Sequence, residues 1–258
     1  MNVSVIIVNY KSKKYLLSCL QSLDSKLISN RKPEVIVVNN ESKPLEREVF
    51  KNINLPVKII NSGQNSGFAS ACNQGARKAR KEILFFLNPD AKILDNSLAK
   101  AVDFFQKTSD LGVLGAQIIQ AETGLPQPWT SGKKTSLPKI LLKNTFFKPW
   151  NKKTATETDW VSGTALLTPR KLFLKLNGFD ERFFMYFEDQ DYCLKVKKAG
   201  KRVLFYPHFS VIHYNGKSWK KEADQKKRYF QSQIKFFQKH MPFQSKILSI
   251  LQKIFLKH

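Results

Sequence analysis

Four short runs of aliphatic and β-branched residues, separated by stretches that include helical spacing, constrain the fold of this chain most strongly. The runs cover residues 3–9, 34–39, 57–61 and 82–87. Strands that alternate with helices form parallel sheets through right-handed crossovers, because the helix packs back onto the sheet only in that way. The pattern therefore predicts a doubly wound α/β sheet, whose ligands bind beyond the carboxyl ends of its strands.

The stretches between these runs predict amphipathic helices. The first has one apolar face and a candidate N-cap at Ser12. Its apolar positions are Tyr15, Leu16, Cys19, Leu20 and Leu23. A second helix is predicted after Gly67, through Ala69, Ala71 and Ala76. Asn9, Asn39 and Asn88 follow predicted strands, so we expect them at the edge of the sheet where ligands bind.

A cluster of carboxylates behind a run of aromatic residues is the strongest sign of chemistry. Residues 183–187 read Phe-Phe-Met-Tyr-Phe, and Glu188, Asp189 and Asp191 follow at once. Apolar surroundings raise the pKa of a carboxyl group, which can make it a proton acceptor near neutral pH. The same acids also suit the start of a helix, with Asp191 facing water. The residues alone leave both readings open.

A second polar cluster follows the buried run 84–87, where Asn88-Pro89-Asp90 begins abruptly. A carboxylate in that position would point into the cleft at the strand ends. An ordinary Asn-Pro-Asp turn explains the same residues, and both readings stay open.

The second half of the chain predicts a long loop region and then further regular elements. Residues 120–158 are rich in Pro, Lys, Thr and Trp and show little periodicity. The elements predicted after it are a strand over 159–168, a helix from Pro169 to Gly178, a helix from Glu188 to Gly200, and strands over 203–206 and 209–213. His213 then ends a strand.

The chain is strongly basic, with a formal charge of +24. Such a charge predicts a polyanionic partner, which could be nucleic acid, an anionic membrane or a phosphorylated substrate. Residues 215–258 carry eleven Lys and Arg against two acidic residues, and Pro242 divides them into two predicted helices. In the second helix, Ile247, Leu248, Leu251, Ile254 and Phe255 share a face opposite the lysines. That face fits an interfacial membrane helix or a helix docked on the domain.

The amino-terminal sequence and the cysteines indicate where in the cell this protein is expected. The first ten residues read as a buried strand and lack the basic leader and cleavage site of a signal peptide. No apolar run approaches the roughly 20 residues that span a bilayer. We therefore expect a cytoplasmic protein, with peripheral contact to the inner face of the plasma membrane through 215–258. The three cysteines form no framework and are expected to be reduced and buried.

Seven motifs in order resemble family 2 glycosyltransferases of the GT-A fold, in the branch that is similar to bacterial rhamnosyltransferases. They lie between residues 3 and 220. The motifs are the opening strand with Asn9-Tyr10, Val37 to Ser42, Asn65 to Gly75, Leu87 to Asp90, Val161 to Thr164, Gly178 to Phe184 and Glu188 to Asp191. The resemblance implies a Rossmann-like doubly wound mixed sheet with helices on both faces. It divides the chain into a catalytic domain over 1–214 and a basic amphipathic helical tail over 215–258.

The family implies an inverting transfer of a sugar from a nucleotide diphosphate donor to a glycan hydroxyl. By this resemblance Asp189 is the general base, while Glu188 and Asp191 orient the acceptor. Asp90 and His213 would hold a divalent cation, Mg²⁺ or Mn²⁺, between the donor phosphates. Asn88 replaces the first acid of the family's metal motif, so the cation is expected to arrive mainly with the donor. The implied donor is dTDP-rhamnose, and the implied acceptor is a bacterial surface or cell-wall glycan, which includes lipid-linked forms.

The resemblance also implies a donor-binding set at the strand ends. Its members are Asn9, Tyr10, Asn39, Glu41, Asn65, Gly67, Phe68, Asn73 and Asn88. Two alternatives remain: an enzyme of the same fold with a UDP-hexose donor, and a basic nucleic-acid-binding protein. The chain shows no zinc-finger spacing and no RNP-type aromatic motif, so we do not expect nucleic acid as a partner.

Overall fold

The computed structural model describes residues 2–24, 33–141, 152–214 and 222–255. The strands are β1 (Val3–Asn9), β2 (Glu34–Asn39), β3 (Val57–Asn61), β4 (Ile83–Leu87), β5 (Ala91–Ile93), β6 (Leu111–Gln120), β7 (Ser131–Gly132), β8 (Thr156–Glu157), β9 (Trp160–Val161), β10 (Ala165–Pro169) and β11 (Arg202–His213). The helices are α1 (Lys13–Asp24), α2 (Phe68–Lys78), α3 (Ser97–Lys107), α4 (Leu137–Leu141), α5 (Arg170–Lys175), α6 (Glu188–Lys198), α7 (Glu222–His240) and α8 (Pro242–Phe255). A short 3₁₀ helix covers Arg47–Phe50.

Most of the strands form one mixed sheet, in the order β3-β2-β1-β4-β10-β6-β11-β5, with β8 paired to β11. The pairs within β1–β4 are parallel, as the alternating pattern predicts. Beyond β4 the sheet changes direction, because β10 pairs antiparallel with both β4 and β6. β7 and β9 form a separate two-stranded sheet. The predicted doubly wound mixed sheet is confirmed.

The first strands read as continuous apolar runs because both of their faces are covered. In β1, Val5 and Ile7 pack with one buried cluster, while Ile6 and Val8 pack with another. The first cluster includes Leu16 and Leu20 of α1 and Leu98 and Phe105 of α3. The second includes Ala69 and Cys72 of α2, Phe173 of α5 and Tyr192 of α6. Helices therefore cover both faces of the sheet.

A third buried cluster joins the carboxyl-terminal helices to α4 and to the turn before α6. Its members are Leu137 of α4, Phe183 and Phe187 before α6, Phe236 and Phe237 of α7, and Leu248 of α8. The aromatic residues that precede the acidic cluster are therefore covered by α7.

Two predicted elements differ from the structure. Residues 159–168 were expected to form one strand, but β9 and β10 are separated at 162–164. The break occurs because the Thr164 carbonyl accepts a hydrogen bond from the Asn88 backbone N–H at 2.9 Å and the Gly163 N–H donates to Asp189 at 2.8 Å. The strands expected over 203–206 and 209–213 are one strand, β11, whose pairing shifts between Tyr206 and Ser210. Pro207 lies in that interval and has no N–H to donate.

The carboxyl-terminal segment forms two helices on either side of Pro242, as predicted. Leu248 is buried against α7, whereas Phe243, Ile247 and Ile250 are 86%, 51% and 61% exposed. The apolar residues of α8 therefore divide between a docked face and an exposed face. The beginning of the predicted tail, 215–221, and the side chains of Ile254 and Phe255 lie outside the described residues.

Among the described residues, no helix combines the length and the apolar character that a bilayer crossing requires. Cys19, Cys72 and Cys193 are free and buried, as expected. Burial raises the pKa of each thiol. These cysteines therefore stay protonated and act as small core residues.

Candidate active site

A cavity of about 1060 Å³ opens beyond the carboxyl ends of β1 and β4 and extends to α4 and α7. Polar and aromatic side chains from both halves of the chain line it. The residues of the predicted site that it contains are Tyr10, Asn65, Phe68, Asn88, Asp90, Glu188, Asp189 and His213. The predicted base and the predicted metal pair thus lie on the wall of one cavity.

Asp90 and His213 meet because β5 pairs with the end of β11, which places His213 opposite Ala91. The Nε2 atom of His213 lies 3.2 Å from Asp90 Oδ1. On the other side of the ring, Nδ1 lies 2.9 Å from Gln127 Oε1. An amide oxygen only accepts hydrogen bonds, so it places the ring proton on Nδ1 and leaves a lone pair on Nε2.

This arrangement fits a cation. With the ring proton on Nδ1, Nε2 and Asp90 Oδ1 are two acceptors that face each other, and a positive ion between them would satisfy both. Asn88 Nδ2 lies 3.4 Å from Nε2 and takes the place of a second carboxylate. Among the described residues, no group of three or more His, Cys, Asp or Glu side chains surrounds the pair. A cation held here would need additional oxygen ligands, which donor phosphates supply.

Asp189 is held by backbone groups at the start of α6. Its Oδ2 accepts a hydrogen bond from the Gly163 N–H at 2.8 Å, and its Oδ1 accepts one from the Gln190 N–H at 2.7 Å. Burial raises the pKa of the Asp189 carboxyl above its ordinary value, and these backbone bonds oppose the increase. Such a group can be ionised near neutral pH and still be basic enough to accept a proton.

Glu188 differs from its neighbour. Its side chain is buried, and its Oε2 has no hydrogen-bond partner among the described residues. Burial first, and then the charge of Asp189, raise the pKa of Glu188 well above its usual value. Two adjacent carboxyls do not ionise together easily, and these surroundings favour the neutral form at Glu188 more strongly than at Asp189, which the backbone N–H groups help to ionise.

The turn before α6 has a strained backbone. Tyr186 and Phe187 both adopt positive φ angles, 70° and 68°, which are costly for residues with a side chain. Contacts from α7 stabilise the turn: the Gln225 amide donates to the Tyr186 hydroxyl at 2.9 Å, and the Ser232 hydroxyl donates to the Met185 carbonyl at 2.7 Å. The positions of Glu188 and Asp189, which follow this turn, therefore depend on contacts from α7.

Asn9, Asn39 and Glu41 do not line the cavity. Asn9 Nδ2 donates to Asn39 Oδ1 at 2.8 Å, and Asn39 Nδ2 donates to Asn61 Oδ1 at 3.1 Å and to the Lys43 carbonyl at 2.9 Å. Glu41 Oε1 accepts hydrogen bonds from Asn9 and from the Lys11 N–H. This asparagine row (Asn9, Asn39 and Asn61) joins the ends of three strands behind the cavity wall.

Gly67 and Asn73, two members of the predicted donor-binding set, also make contacts within the chain. Gly67 has a φ of 87°, and a Cβ atom there would lie 2.6 Å from the Phe184 carbonyl oxygen. The close approach at Gly67 is therefore to the 183–187 turn, and the Phe68 N–H donates to the same oxygen at 2.7 Å. Asn73 bonds both the carbonyl and the N–H of Phe179. Both residues connect α2 to the segment that leads to Asp189.

Asp191 points away from the cavity. Its side chain is fully buried and accepts hydrogen bonds from His240 Nε2 at 2.7 Å and Lys239 Nζ at 2.6 Å, with Lys195 Nζ at 3.9 Å. Asp191 is neither beside the predicted acceptor site nor in water, because the end of α7 covers it. In the structure it connects α6 to α7.

The sequence analysis missed Gln127, Gly163 and the wall that α7 provides. Gln127 lies in the region without periodicity and leaves no pattern, and Gly163, although it is part of the motif from Val161 to Thr164, acts through its backbone N–H and received no role. α7 does leave one: Tyr229 and Phe236, and likewise Phe230 and Phe237, are seven residues apart and therefore share faces of the helix. That spacing was available and indicated a docked helix.

The chain belongs to glycosyl transferase family 2, because a sequence profile of that family matches well over half of its residues. The sequence profile of that family, "Glycosyl transferase family 2", matches residues 4–172. The protein is a glycosyltransferase with the GT-A fold.

Several relatives are similar over most of the chain. Rhamnosyltransferase WbbL of Escherichia coli (strain K12) is 24% identical over 82% of this chain and 83% of its own length. The N-acetylglucosaminyl-diphospho-decaprenol L-rhamnosyltransferase of Mycobacterium tuberculosis (strain CDC 1551 / Oshkosh) is 23% identical over 83% of this chain and 76% of its own. The solved mannosyltransferase PcManGT from Pyrobaculum calidifontis, in complex with GDP-Man and Mn²⁺, superposes with a TM-score of 0.66 at 18% identity. The match covers 93% of this chain and 64% of that structure's chain.

Proposed function

We propose that this protein transfers a sugar, with inversion, from a nucleotide diphosphate donor to a hydroxyl group of a bacterial surface or cell-wall glycan. The observation that carries the proposal is the convergence of Asp189, Asp90 and His213 on one cavity. An inverting displacement needs one base and one charge-stabilising centre, and this cavity has a candidate for each.

The proposed donor sugar is rhamnose, carried on dTDP. Two relatives that match more than four fifths of this chain have names that specify rhamnosyl transfer. One of those names also specifies a diphospho-lipid acceptor, which supports a lipid-linked glycan as the acceptor class here. A UDP-hexose is the alternative donor.

In the proposed reaction, Asp189 accepts the proton of the attacking acceptor hydroxyl. The acceptor oxygen bonds to the anomeric carbon as the bond from that carbon to the diphosphate oxygen breaks, and the nucleotide diphosphate departs with the electron pair. The Gly163 N–H keeps the Asp189 carboxylate in place, and the neutral Glu188 adds no second negative charge beside it. Asp90 and His213 would hold Mg²⁺ or Mn²⁺, which offsets the charge on the leaving diphosphate. A related fold was solved with Mn²⁺ and a nucleotide sugar.

A donor panel tests this function. The purified protein is incubated with dTDP-rhamnose, UDP-hexoses and GDP-mannose, with lipid-linked and free glycan acceptors and with either cation. Asp189→Asn should reduce kcat by at least about a hundredfold, since a general base contributes 10²- to 10⁴-fold, while the KM for the donor changes little. Asp103→Asn, at an exposed position on α3, is the matched control and should retain activity. Full activity of Asp189→Asn would refute the base assignment.

We also propose that the exposed face of α8 contacts an anionic membrane. Phe243, Ile247 and Ile250 are spaced i, i+4 and i+7 and form an exposed apolar stripe beside Lys246. Apolar side chains that enter the headgroup region and lysines that attract anionic lipids act together in interfacial helices. This position would bring the cavity near a lipid-linked acceptor at the inner face of the plasma membrane.

Vesicle sedimentation tests the membrane contact. Replacing Phe243, Ile247 and Ile250 with Ser should abolish binding to vesicles that contain phosphatidylglycerol. Leu125→Ser, which removes a 62% exposed leucine outside α8, should leave binding intact. Equal sedimentation of the triple variant and the unmodified protein would reject this surface.

A further inference from the structure

The cavity is large enough for more than the donor. Its volume of about 1060 Å³ lies at the upper end of the roughly 300–1,000 Å³ that is usual for a pocket with one small-molecule ligand. The predicted donor and metal residues account for the wall at β1, β4, α2 and β11. The remaining wall comes from the 127–140 segment and from α7. A transfer reaction requires a second substrate, and this remaining wall is where it can enter.

Part of the remaining wall is aromatic. Tyr229 of α7 lies at ring-centroid distances of 5.7 Å from Tyr186 and 5.3 Å from Phe187. Gln225 and Gln233 line the cavity beside these rings. Flat apolar rings with nearby amides and hydroxyls match a sugar ring, which has apolar C–H faces and a rim of hydroxyl groups.

The same wall carries two lysines. Lys133 and Lys139 are the only Lys or Arg residues on the described wall of the cavity. Lys139 Nζ donates to the Lys134 carbonyl at 2.8 Å and keeps two further N–H donors. Across the described ranges, no carboxylate forms an ion pair with either ammonium group at 4.0 Å or less. Both positive charges are therefore available to a ligand.

The donor does not account for these charges. Its diphosphate would be neutralised by the cation at Asp90 and His213, which other elements of the fold provide. Lys133 and Lys139 belong to the segment that packs against the acidic turn and α7: the Thr135 hydroxyl donates to Gln190 Oε1 at 2.7 Å, and Leu137 packs in the cluster with Phe187. The lysines are thus grouped with the aromatic wall.

We propose that Lys133 and Lys139 bind a phosphate group of the acceptor, whose sugar lies against Tyr186 and Tyr229 with its attacking hydroxyl at Asp189. The acceptor class is accordingly a sugar joined to a lipid through phosphate or diphosphate. This inference rests on the proposed function and deepens it: the lysines select acceptors by their linkage, whereas the residues at the strand ends bind the donor.

Two acceptors that differ only in linkage provide the test. One joins the sugar to a short alkyl chain through diphosphate, and the other joins the same sugar to the same chain through a neutral glycosidic bond. In the Lys133→Ala/Lys139→Ala variant, we expect the KM for the diphosphate acceptor to rise about tenfold or more, because hydrogen bonds to charged groups are lost. We expect kcat, the KM for the donor and the KM for the neutral acceptor to stay unchanged.

Lys134→Ala is the matched control. Lys134 lies between the other two in the same segment, is exposed and does not line the cavity, and its carbonyl remains available to Lys139. This variant loses one unit of charge from the same surface and should behave like the unmodified protein. An equal KM increase for both acceptors, an increase in the KM for the donor, or no change in the double variant would overturn the proposal.

A binding measurement separates this inference from the proposed function. Geranyl diphosphate and geraniol are titrated calorimetrically against the full chain in EDTA, where no divalent cation supports phosphate binding at Asp90 and His213. The unmodified protein and Lys134→Ala should bind geranyl diphosphate about tenfold more tightly than the double variant does, and geraniol should not distinguish the three. If no nucleotide sugar supports transfer, the proposed function is refuted. The titration still shows whether Lys133 and Lys139 bind a diphosphate group. Equal affinities for geranyl diphosphate would reject it.

Discussion

Glu188 and Asp189 show how two adjacent carboxyl groups acquire different properties from their surroundings. Glu188 is buried and its Oε2 has no partner among the described residues, whereas the partly buried Asp189 accepts backbone hydrogen bonds from Gly163 and Gln190. Hydrogen bonds stabilise a charged carboxylate, and desolvation without them stabilises the neutral acid. These different surroundings support the proposed role of Asp189 as the base and set Glu188 apart from it.

The pH dependence of the reaction follows from the Asp189 environment. Burial raises the pKa of Asp189, and the base acts only when ionised. At saturating donor, kcat/KM for the acceptor should therefore decrease as the pH falls through a pKa above the ordinary 3.8 of an aspartic acid. A pH–rate profile with parallel thermal melts checks this and separates loss of the base from acid unfolding. Activity that is constant down to pH 4 in the folded enzyme would contradict it.

Asn39 illustrates a residue whose role changes between sequence and structure. Its position indicated donor contact, but its amide joins Asn9, Asn61 and the Lys43 carbonyl. Asn39→Asp should destabilise the protein by about 1–3 kcal/mol, because the buried Asn39 side chain loses its two donated hydrogen bonds, to Asn61 Oδ1 and the Lys43 carbonyl, and acquires a charge. Urea unfolding measures this. Asn61→Asp is the matched control. Asn61 Oδ1 only accepts hydrogen bonds, and an aspartate oxygen keeps that capacity, so this variant should lose much less stability than Asn39→Asp.

At the scale of elements, periodicity predicted β1 to β4, α1 and α2, but it led to no prediction of α3 or β6, and it failed where tertiary contacts interrupt a strand. The bounds of β1, β2 and β3 match the predicted runs; β1 and β2 are buried along almost their whole length, whereas β3, at the edge of the sheet, is only partly buried. The break at 162–164 was not predictable, since it arises from hydrogen bonds to Asn88 and Asp189, which are distant in sequence. The short β5 was also missed, because three residues cannot show a period.

The candidate site, like the secondary structure, was predicted only in part from the sequence. The family resemblance singled out Asp90, Asp189 and His213 as candidate site residues, and the three line one cavity. Gln127 was not predictable, because its contact with His213 depends on where an irregular segment returns to the sheet. Asp191 was linked to the acceptor, but the opposing lysine and histidine lie 48 and 49 residues further along the chain.

The link between α6 and α7 gives a prediction at this scale. Asp191→Ala would remove the buried carboxylate that pairs with Lys239 and His240; Lys239 keeps its ion pair with Asp180, so we expect a loss of about 1–3 kcal/mol, less than for an uncompensated buried charge. Urea unfolding should show a loss of this size, and Asp191→Asn should show a smaller one because it keeps an acceptor oxygen. Unchanged stability with a raised KM for the acceptor would instead support acceptor orientation.

Considering the whole molecule, α7 packs as part of the catalytic unit although it belongs to the basic tail. It supplies Phe236 and Phe237 to the cluster that contains Phe183 and Phe187, and it lines the cavity through Tyr229. We expect α7 to unfold together with the sheet domain. Native-state hydrogen exchange should give the amides of 222–240 and of 188–198 the same opening free energy. Earlier exchange across the whole of α7 would show that it is an independent appendage.

The position of α7 in chain order has a consequence for biosynthesis. Residues 222–240 are translated after the sheet, the metal pair and the acidic turn, yet they hold Tyr186 and Met185 in place and cover Phe187. Because a ribosome releases the chain from its amino terminus, a nascent polypeptide can form the sheet-side wall of the cavity before it can form the wall that α7 provides. The turn that carries Glu188 and Asp189 gains its contacts from α7 only when synthesis has passed this helix.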